Sequence, residues 1–116
     1  MIENTDTKQS IINAGIRLFA LNPYAEVSVD SIVNEANISK GSFYYYFKSK
    51  EEFYKSLLDY AFDNLMSTYK KEAQDKTDKN ELLLSFVKSV FYSFEKDKNL
   101  FFIIQKELIK IVTGEK

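Results

Sequence analysis

The segment at residues 37–50, NISKGSFYYYFKSK, carries the side chains of this chain best suited to binding an anionic partner. On a helix, Phe43 and Phe47 lie four residues apart on one face, so both can enter a core. The same rotation turns small and phenolic residues outward, namely Gly41, Ser42, Tyr44 and Tyr45. Lysines flank this outward surface at positions 40, 48 and 50. The alternative is that the tyrosines fill a corner of the core and that the lysines are ordinary solvated charges.

A second short helix is predicted just before this segment. Ser28 is a residue of the type that caps a helix N-terminus, and Ser39 can cap the next helix in the same way. The apolar stripe of the first of these helices consists of Ile32, Val33 and Ala36. Asn37 stands where the chain must turn, and Asn tolerates a left-handed backbone. Two short helices joined by a tight turn predict a helix-turn-helix, whose second helix is called here the recognition helix.

Residues 8–57 resemble the N-terminal DNA-binding domain of TetR-type (TetR/AcrR) transcriptional regulators. The resemblance rests on ordered matches along the chain: IINA at 11–14, LF at 18–19, VSVDSIV at 27–33, ANISKGSFY at 36–44 and YFKSKEEF at 46–53. The family usually has Gly where Asn37 and Pro23 stand here, and neither position lies in the recognition helix. The resemblance implies a sequence-specific DNA-binding transcription regulator, a repressor released by a small-molecule effector. It also implies a homodimer in the full protein, bound to a near-palindromic operator in double-stranded DNA.

Individual roles follow from helix-turn-helix geometry together with this resemblance. In the major groove, Lys40 is placed to donate to guanine O6 or N7, and Ser42 to a base or a phosphate. Gly41 lets the backbone approach closely, and Tyr45 can lay its ring on thymine methyl groups. Phosphate contacts are expected from Ser28, Tyr44 and Lys50, and Tyr46 is a further candidate for contact with the DNA backbone. Ser28 and Ser39 are also helix caps, whether or not DNA is bound. The predicted DNA-binding residues are therefore Ser28, Ser39, Lys40, Gly41, Ser42, Tyr44, Tyr45, Tyr46 and Lys50.

Hydrophobic periodicity along the remainder predicts helices only, so the fold class is all-α. A first helix is expected from about residue 6 to Leu21, where Asn22 and Pro23 stop it. Phe43 and Phe47 should pack against this helix near Phe19. After the three helices of a DNA-binding domain come a long connecting helix to about residue 71 and two bundle helices at about 81–95 and 100–112. The expected domains are residues 1–50 and 51–116.

Composition argues against catalysis, metal binding and membrane insertion. The 116-residue chain has no His and no Cys, which removes the commonest general base, the commonest reactive thiol and most zinc sites. No phosphate-binding glycine loop is present, so no cofactor or metal is predicted. No apolar run approaches the ~20 residues of a membrane span, and a cytoplasmic protein is expected. Net charge is −1, so an interaction with DNA must depend on local clustering of bases.

The second half poses the question of what its many aromatic residues do. In TetR-type regulators the later helices enclose an effector pocket and form the dimer interface, and the family typically continues for several more helices. Helical spacing instead predicts plain bundle core for Phe86, Val90, Phe91 and Phe94. Apolar surface left open is expected on Phe101, Phe102, Ile104, Leu108 and Ile111. The alternative function is a helical protein-interaction module that keeps the helix-turn-helix only as scaffold.

Overall fold

The structure is a computed structural model that describes residues 4–114, and this part of the chain forms six α-helices, one 3₁₀ turn and no strands. The helices are α1 (Asn4–Leu21), α2 (Val29–Ala36), α3 (Lys40–Tyr46), α4 (Lys50–Glu72), α5 (Lys79–Lys96) and α6 (Lys98–Thr113), with the 3₁₀ turn at Tyr24–Glu26. The prediction of an all-α fold, with a helix-turn-helix ahead of a long helix and two more helices, is confirmed.

The chain divides into two compact units within α4: the first ends at Leu58 and the second begins at Asp59. The domain boundary expected at residue 50 lies earlier, at the start of α4, and stays a prediction. The outer ends of the expected ranges, residues 1–3 and 115–116, lie outside the described residues.

Local chemistry explains the turns of the first unit. The Asn22 side-chain amide donates to the Leu18 carbonyl at 2.9 Å, and Pro23 follows with an extended backbone, so α1 ends. Asn37 ends α2 at φ 59° and ψ 49°, in the left-handed region, and its N–H donates to the Val33 and Asn34 carbonyls. Asn therefore fills the position where a helix most often ends in Gly, as expected from the sequence.

An aromatic cluster forms the core of the first unit. Phe43 and Phe53 are fully buried and Phe47 is 9% exposed, so Phe43 of α3 and Phe47, the extended residue directly after α3, both face inward as predicted. The Phe53 ring joins α4 to the other elements: its centroid lies 5.5 Å from that of Phe43, 4.7 Å from that of Phe47 and 6.3 Å from that of Phe19 on α1. These rings fix the position of α3, which at seven residues is too short to be stable on its own.

Gly15 lets α1 and α4 meet around the Phe53 ring. A Cβ at this position would lie far inside contact distance of two Phe53 ring carbons and 3.1 Å from Leu57 Cδ1. We therefore expect Gly15→Ala to lower the free energy of unfolding by about 1–3 kcal/mol, because an overpacked core must shift its rings or helices. Chemical denaturation followed by circular dichroism measures this change. Wild-type stability would show that the ring moves aside freely.

The second unit departs from the sequence-based expectation at α5. Phe86 and Phe91 are 42% and 66% exposed, while Ser85 and Ser89 are buried. The prediction that Phe86 and Phe91 are bundle core is therefore wrong for the described chain. The serine hydroxyls are satisfied internally: Ser85 Oγ donates to the Glu81 and Glu72 carbonyls at 2.9 and 3.2 Å, and Ser89 Oγ to the Ser85 carbonyl at 2.8 Å. Small side chains that bond to backbone carbonyls allow the serine side of α5 to be the buried one.

Helix α6 follows the expectation in part. Phe102, Leu108 and Ile111 are exposed as expected. Phe101 is half-buried, and the prediction that Ile104 is exposed is wrong, since that side chain is buried together with Leu100 and Ile103. Leu100, Ile103 and Ile104 lie three and four residues apart and therefore share one face of the first half of α6, and this face is the buried one. The helix begins directly after Asp97, whose carboxylate accepts from the Leu100 N–H at 3.1 Å.

Candidate nucleic-acid interface

Helix α3 is held in place by buried aromatic side chains and by a serine cap at its N-terminus. Its N-cap is Ser39, whose hydroxyl accepts from the Ser42 backbone N–H at 3.1 Å, as the sequence predicts. With Phe43 and Phe47 facing the core, the helix cannot rotate without exposing an aromatic ring. The opposite surface of α3 is therefore held in a fixed orientation, which is a precondition for reading a shaped partner.

The outer surface of α3 is small near its start and phenolic further along. Gly41 is exposed, and Tyr44 and Tyr45 are 50% and 76% exposed, as predicted. Ser42 and Tyr46 are half-buried. This outer surface carries no exposed Leu, Met or Phe, and its exposed aromatic residues are two tyrosines, whose hydroxyls can bond to a polar partner.

Gly41 is not required by the packing of this chain. A Cβ added there would meet only the Ser39 hydroxyl, at an ordinary contact distance of 3.8 Å. Its backbone is helical and in the region open to every residue, whereas glycine weakens a helix by about 1 kcal/mol relative to alanine. A glycine that the fold does not need points to a requirement outside the fold, namely close approach of a partner to the helix backbone.

The start of α1 adds one residue that the sequence analysis missed. A recess of about 250 Å³ is lined by Thr7, Ser42, Tyr45 and Tyr46. Thr7 thus places a side chain from α1 beside three predicted DNA contacts of α3. The sequence offered no signal for this residue, because its neighbourhood depends on how α1 crosses α3.

The N-cap of α2 carries an exposed hydroxyl pair. Ser28 Oγ accepts from the Ser31 backbone N–H at 3.0 Å, and Ser31 Oγ donates to the Ser28 carbonyl at 2.7 Å. The predicted cap at Ser28 is therefore confirmed, whereas its contact with phosphate stays a prediction. Because Ser28 remains exposed, its hydroxyl is accessible from solvent.

Both predicted DNA-binding lysines already have partners within the chain. Lys40 Nζ lies 2.8 Å from Asp30 Oδ1 of α2, and this hydrogen bond, followed by the charge of the carboxylate, raises the pKa of Lys40 above its ordinary value. Lys50 Nζ donates to the Tyr24 and Val27 carbonyls, both at 3.0 Å, and lies 4.0 Å from the centre of the Tyr24 ring. Lys50 therefore ties the start of α4 to the segment that leads into α2, and its phosphate contact stays a prediction.

The ammonium group of Lys48 is exposed beside this surface and can bind an anionic partner. This lysine follows α3 directly and has no partner among residues 4–114. Its position in the sequence marks it as a lysine that flanks the recognition helix, and it is not among the predicted DNA contacts. Only the tertiary contacts of its neighbours single it out.

The second unit contains a cleft of about 580 Å³ between α4, α5 and α6. Its aromatic and apolar lining includes Tyr60, Tyr92, Leu100 and Phe101, and its polar lining includes Asn64, Thr68, Lys71 and Lys96. The volume falls in the range of small-molecule pockets, which join an apolar wall to a few polar groups. Within the described part of the chain, no group of acidic side chains could hold a metal ion, and no helix is long and apolar enough to cross a membrane.

Comparisons with known proteins agree with the geometry of the first unit. Residues 11–57 match the family described as bacterial regulatory proteins, tetR family. The uncharacterised HTH-type transcriptional regulator YerO of Bacillus subtilis is 33% identical over 106 residues, which are 90% of this chain and 37% of YerO. A transcriptional regulator of the TetR/AcrR class from Aquifex aeolicus matches in structure with a TM-score of 0.68 and 33% identity, over 87% of this chain and 56% of that chain.

A TetR-family transcriptional regulator from Haemophilus influenzae shares the fold, with a TM-score of 0.70 at 24% identity, over 88% of this chain and 56% of that one. The chain thus spans little more than half the length of these two solved proteins, and less of YerO.

Proposed function

We propose, from the premise that this chain is of the TetR/AcrR type, that it is a sequence-specific DNA-binding transcription regulator. The observation that carries the proposal is the outer surface of α3. A helix locked by two buried phenylalanines presents a glycine that the fold does not need, between a lysine and exposed tyrosines. Such a surface suits the major groove, where a backbone must come close to base edges.

The proposed contacts divide into base readout and phosphate binding. Lys40 donates to guanine, Ser42 to a base or phosphate, and Tyr45 packs on thymine methyl groups. Phosphate contacts come from the hydroxyls of Ser28 and Tyr44, from Tyr46, and from Lys50 when it leaves its carbonyl partners. We add Lys48 and Thr7 to this second set, because Lys48 is exposed directly after α3 and Thr7 lines the recess beside Ser42, Tyr45 and Tyr46.

We further propose that the full protein is a repressor that acts as a homodimer on a near-palindromic operator. The cleft of the second unit is the proposed site of the small-molecule effector that releases it. The alternative, a protein-interaction module, is less well supported by α3, because the helix carries a glycine that the fold does not need and is flanked by lysines, which are depleted at protein interfaces.

Gly41→Ala tests the proposal because it separates binding from folding. We expect the variant to be as stable as the wild type or slightly more stable, since alanine favours the helix and meets no close neighbour. We expect its affinity for a selected duplex to fall by roughly tenfold to a hundredfold, because the added methyl group stands between the helix backbone and the base edges. The duplex is obtained by repeated selection from a random-sequence library with the 116-residue chain, and affinity is measured by fluorescence anisotropy.

The matched control is Ala25→Gly, which also changes one methyl group at an exposed position but lies in the 3₁₀ turn and not in α3. It should leave affinity within twofold of the wild type. Failure to enrich any duplex would contradict the proposed function. Unchanged affinity of a folded Gly41→Ala variant would contradict the docking of α3 against DNA.

A further inference from the structure

The ion pair between Lys40 and Asp30 joins the two helices of the helix-turn-helix at their solvent face. Lys40 is the first residue of α3, Asp30 lies in the first turn of α2, and their side chains are 56% and 70% exposed. Neither charge is needed to cap its own helix, since Ser28 caps α2 through Ser31 and Ser39 caps α3 through Ser42. The pair therefore links the two helices without capping either of them.

The Lys40 ammonium uses only part of its hydrogen-bonding capacity within the chain. An ammonium has three donors, and one of them is used by Asp30 Oδ1 at 2.8 Å. The other two have no acceptor among residues 4–114. Guanine offers two acceptors in the major groove, O6 and N7, so the ammonium can bind guanine while it stays on Asp30. We infer that a phosphate at the groove edge lies out of reach of the ammonium while it stays on Asp30, so that a phosphate contact requires the lysine to leave the carboxylate.

We propose that Asp30 is a specificity-determining residue that positions Lys40 toward base edges and keeps it off phosphates. The inference rests on the proposed DNA-binding function and deepens it. On a matching site, the lysine is already oriented and the carboxylate remains its partner. On an unmatched duplex, a phosphate contact would require breaking the ion pair beside an exposed negative charge, so Lys40 adds nothing to non-specific binding.

Asp30→Asn tests this positioning role. On a duplex of scrambled sequence, we expect the variant to bind roughly threefold to tenfold more tightly, and the slope of log affinity against log salt to steepen by about 0.9, the value for one added phosphate contact. When the salt concentration rises fourfold, the variant should therefore lose roughly 3.5-fold more affinity for the scrambled duplex than the wild type loses. On the selected duplex, we expect affinity to fall severalfold, because the lysine is no longer oriented.

Lys40→Ala completes the cycle. In the wild-type background it should weaken binding to the selected duplex by roughly tenfold and leave the scrambled duplex within twofold. In the Asp30→Asn background it should return the salt slope on the scrambled duplex to the wild-type value. Both results follow only if the added phosphate contact is made by Lys40.

Glu35→Gln supplies the matched control. Glu35 of α2 holds Arg17 Nε at 2.7 Å, so this variant also removes one negative charge and releases one cation, but away from α3. It should change the affinity for both duplexes by the same factor, whereas Asp30→Asn should lower their ratio by roughly tenfold or more. Melting curves of all variants should coincide within a few degrees.

The direction in which Asp30→Asn changes the affinity for the selected duplex distinguishes positioning of Lys40 from simple neutralisation of its charge. If Asp30→Asn raised affinity for selected and scrambled duplexes alike, Asp30 would merely neutralise Lys40, and the inference would be overturned. An unchanged salt slope on the scrambled duplex would overturn it as well. If the wild-type chain bound no duplex at all, the fault would lie with the proposed function and not with the role of Asp30.

Discussion

Phe53→Ala should unfold the helix-turn-helix unit or bring it close to unfolding, with a loss of about 3–5 kcal/mol in the free energy of unfolding. The ring is fully buried and contacts the rings of Phe19, Phe43 and Phe47, which belong to α1, to α3 and to the end of α3. Removal of the ring leaves a cavity that three elements would have to fill together. Since small domains are stable by only about 5–15 kcal/mol, a loss of this size removes a large share of the unit's stability.

Hydrogen exchange of the amides in α1–α3, together with thermal melting followed by circular dichroism, measures the effect. Phe91→Ala is the matched control, because it removes the same ring from a position that is 66% exposed. It should change the melting temperature little. Wild-type protection of the α1–α3 amides in the Phe53→Ala variant would mean that the aromatic cluster does not hold α3 in place.

Joining two copies of the chain should strengthen binding to a palindromic duplex by about 100- to 10,000-fold relative to one copy. The second half-site is then bound at the high effective concentration set by the linker. Helix-turn-helix dimers read half-sites about 34–36 Å apart. A Gly/Ser linker of about 40 residues has a mean end-to-end distance of roughly 35 Å, and one of about 80 residues gives additional reach.

Titration of the single and tandem chains against half-site and palindromic duplexes tests this expectation. The control is a tandem chain with Gly41→Ala in one copy, which should lose roughly tenfold to a hundredfold of the affinity gained by linking, the same factor that the substitution costs the single chain. Sedimentation equilibrium on the single chain accompanies the titration, because Leu83, Phe91 and Ile111 are exposed and could draw two copies together. A single chain that already prefers the palindrome by orders of magnitude would show that it dimerises without the linker.

Local sequence determined most of the helix-turn-helix. Ser28 and Ser39 cap their helices, Asn37 adopts the left-handed turn, and Phe43 and Phe47 are buried, all as read from residue type and spacing. The caps and the turn could be predicted because each depends on backbone groups within four residues along the chain, and the shared inward face of Phe43 and Phe47 could be predicted from their four-residue spacing. The exposed face of α3 followed from the same rotation, so the candidate interface was visible in the sequence.

Tertiary structure decided which charges of that interface are free. The sequence shows three lysines around α3, and nothing in their spacing distinguishes them. The crossing of α2 and α3 brings Asp30 to Lys40, and the return of α4 brings the Tyr24 and Val27 carbonyls to Lys50, which leaves Lys48 available. Partners that lie 10 to 26 residues apart in sequence meet only when the helices pack.

The buried face of α5 was likewise decided by tertiary structure. Hydrophobic periodicity assigns the core side to the phenylalanines, yet Ser85 and Ser89 are the buried residues of this helix. Periodicity identifies which side chains share a face, but the side that is covered depends on what packs there. Serine is accepted in the interior because its hydroxyl bonds to a backbone carbonyl of its own helix, so no polar group is left without a partner.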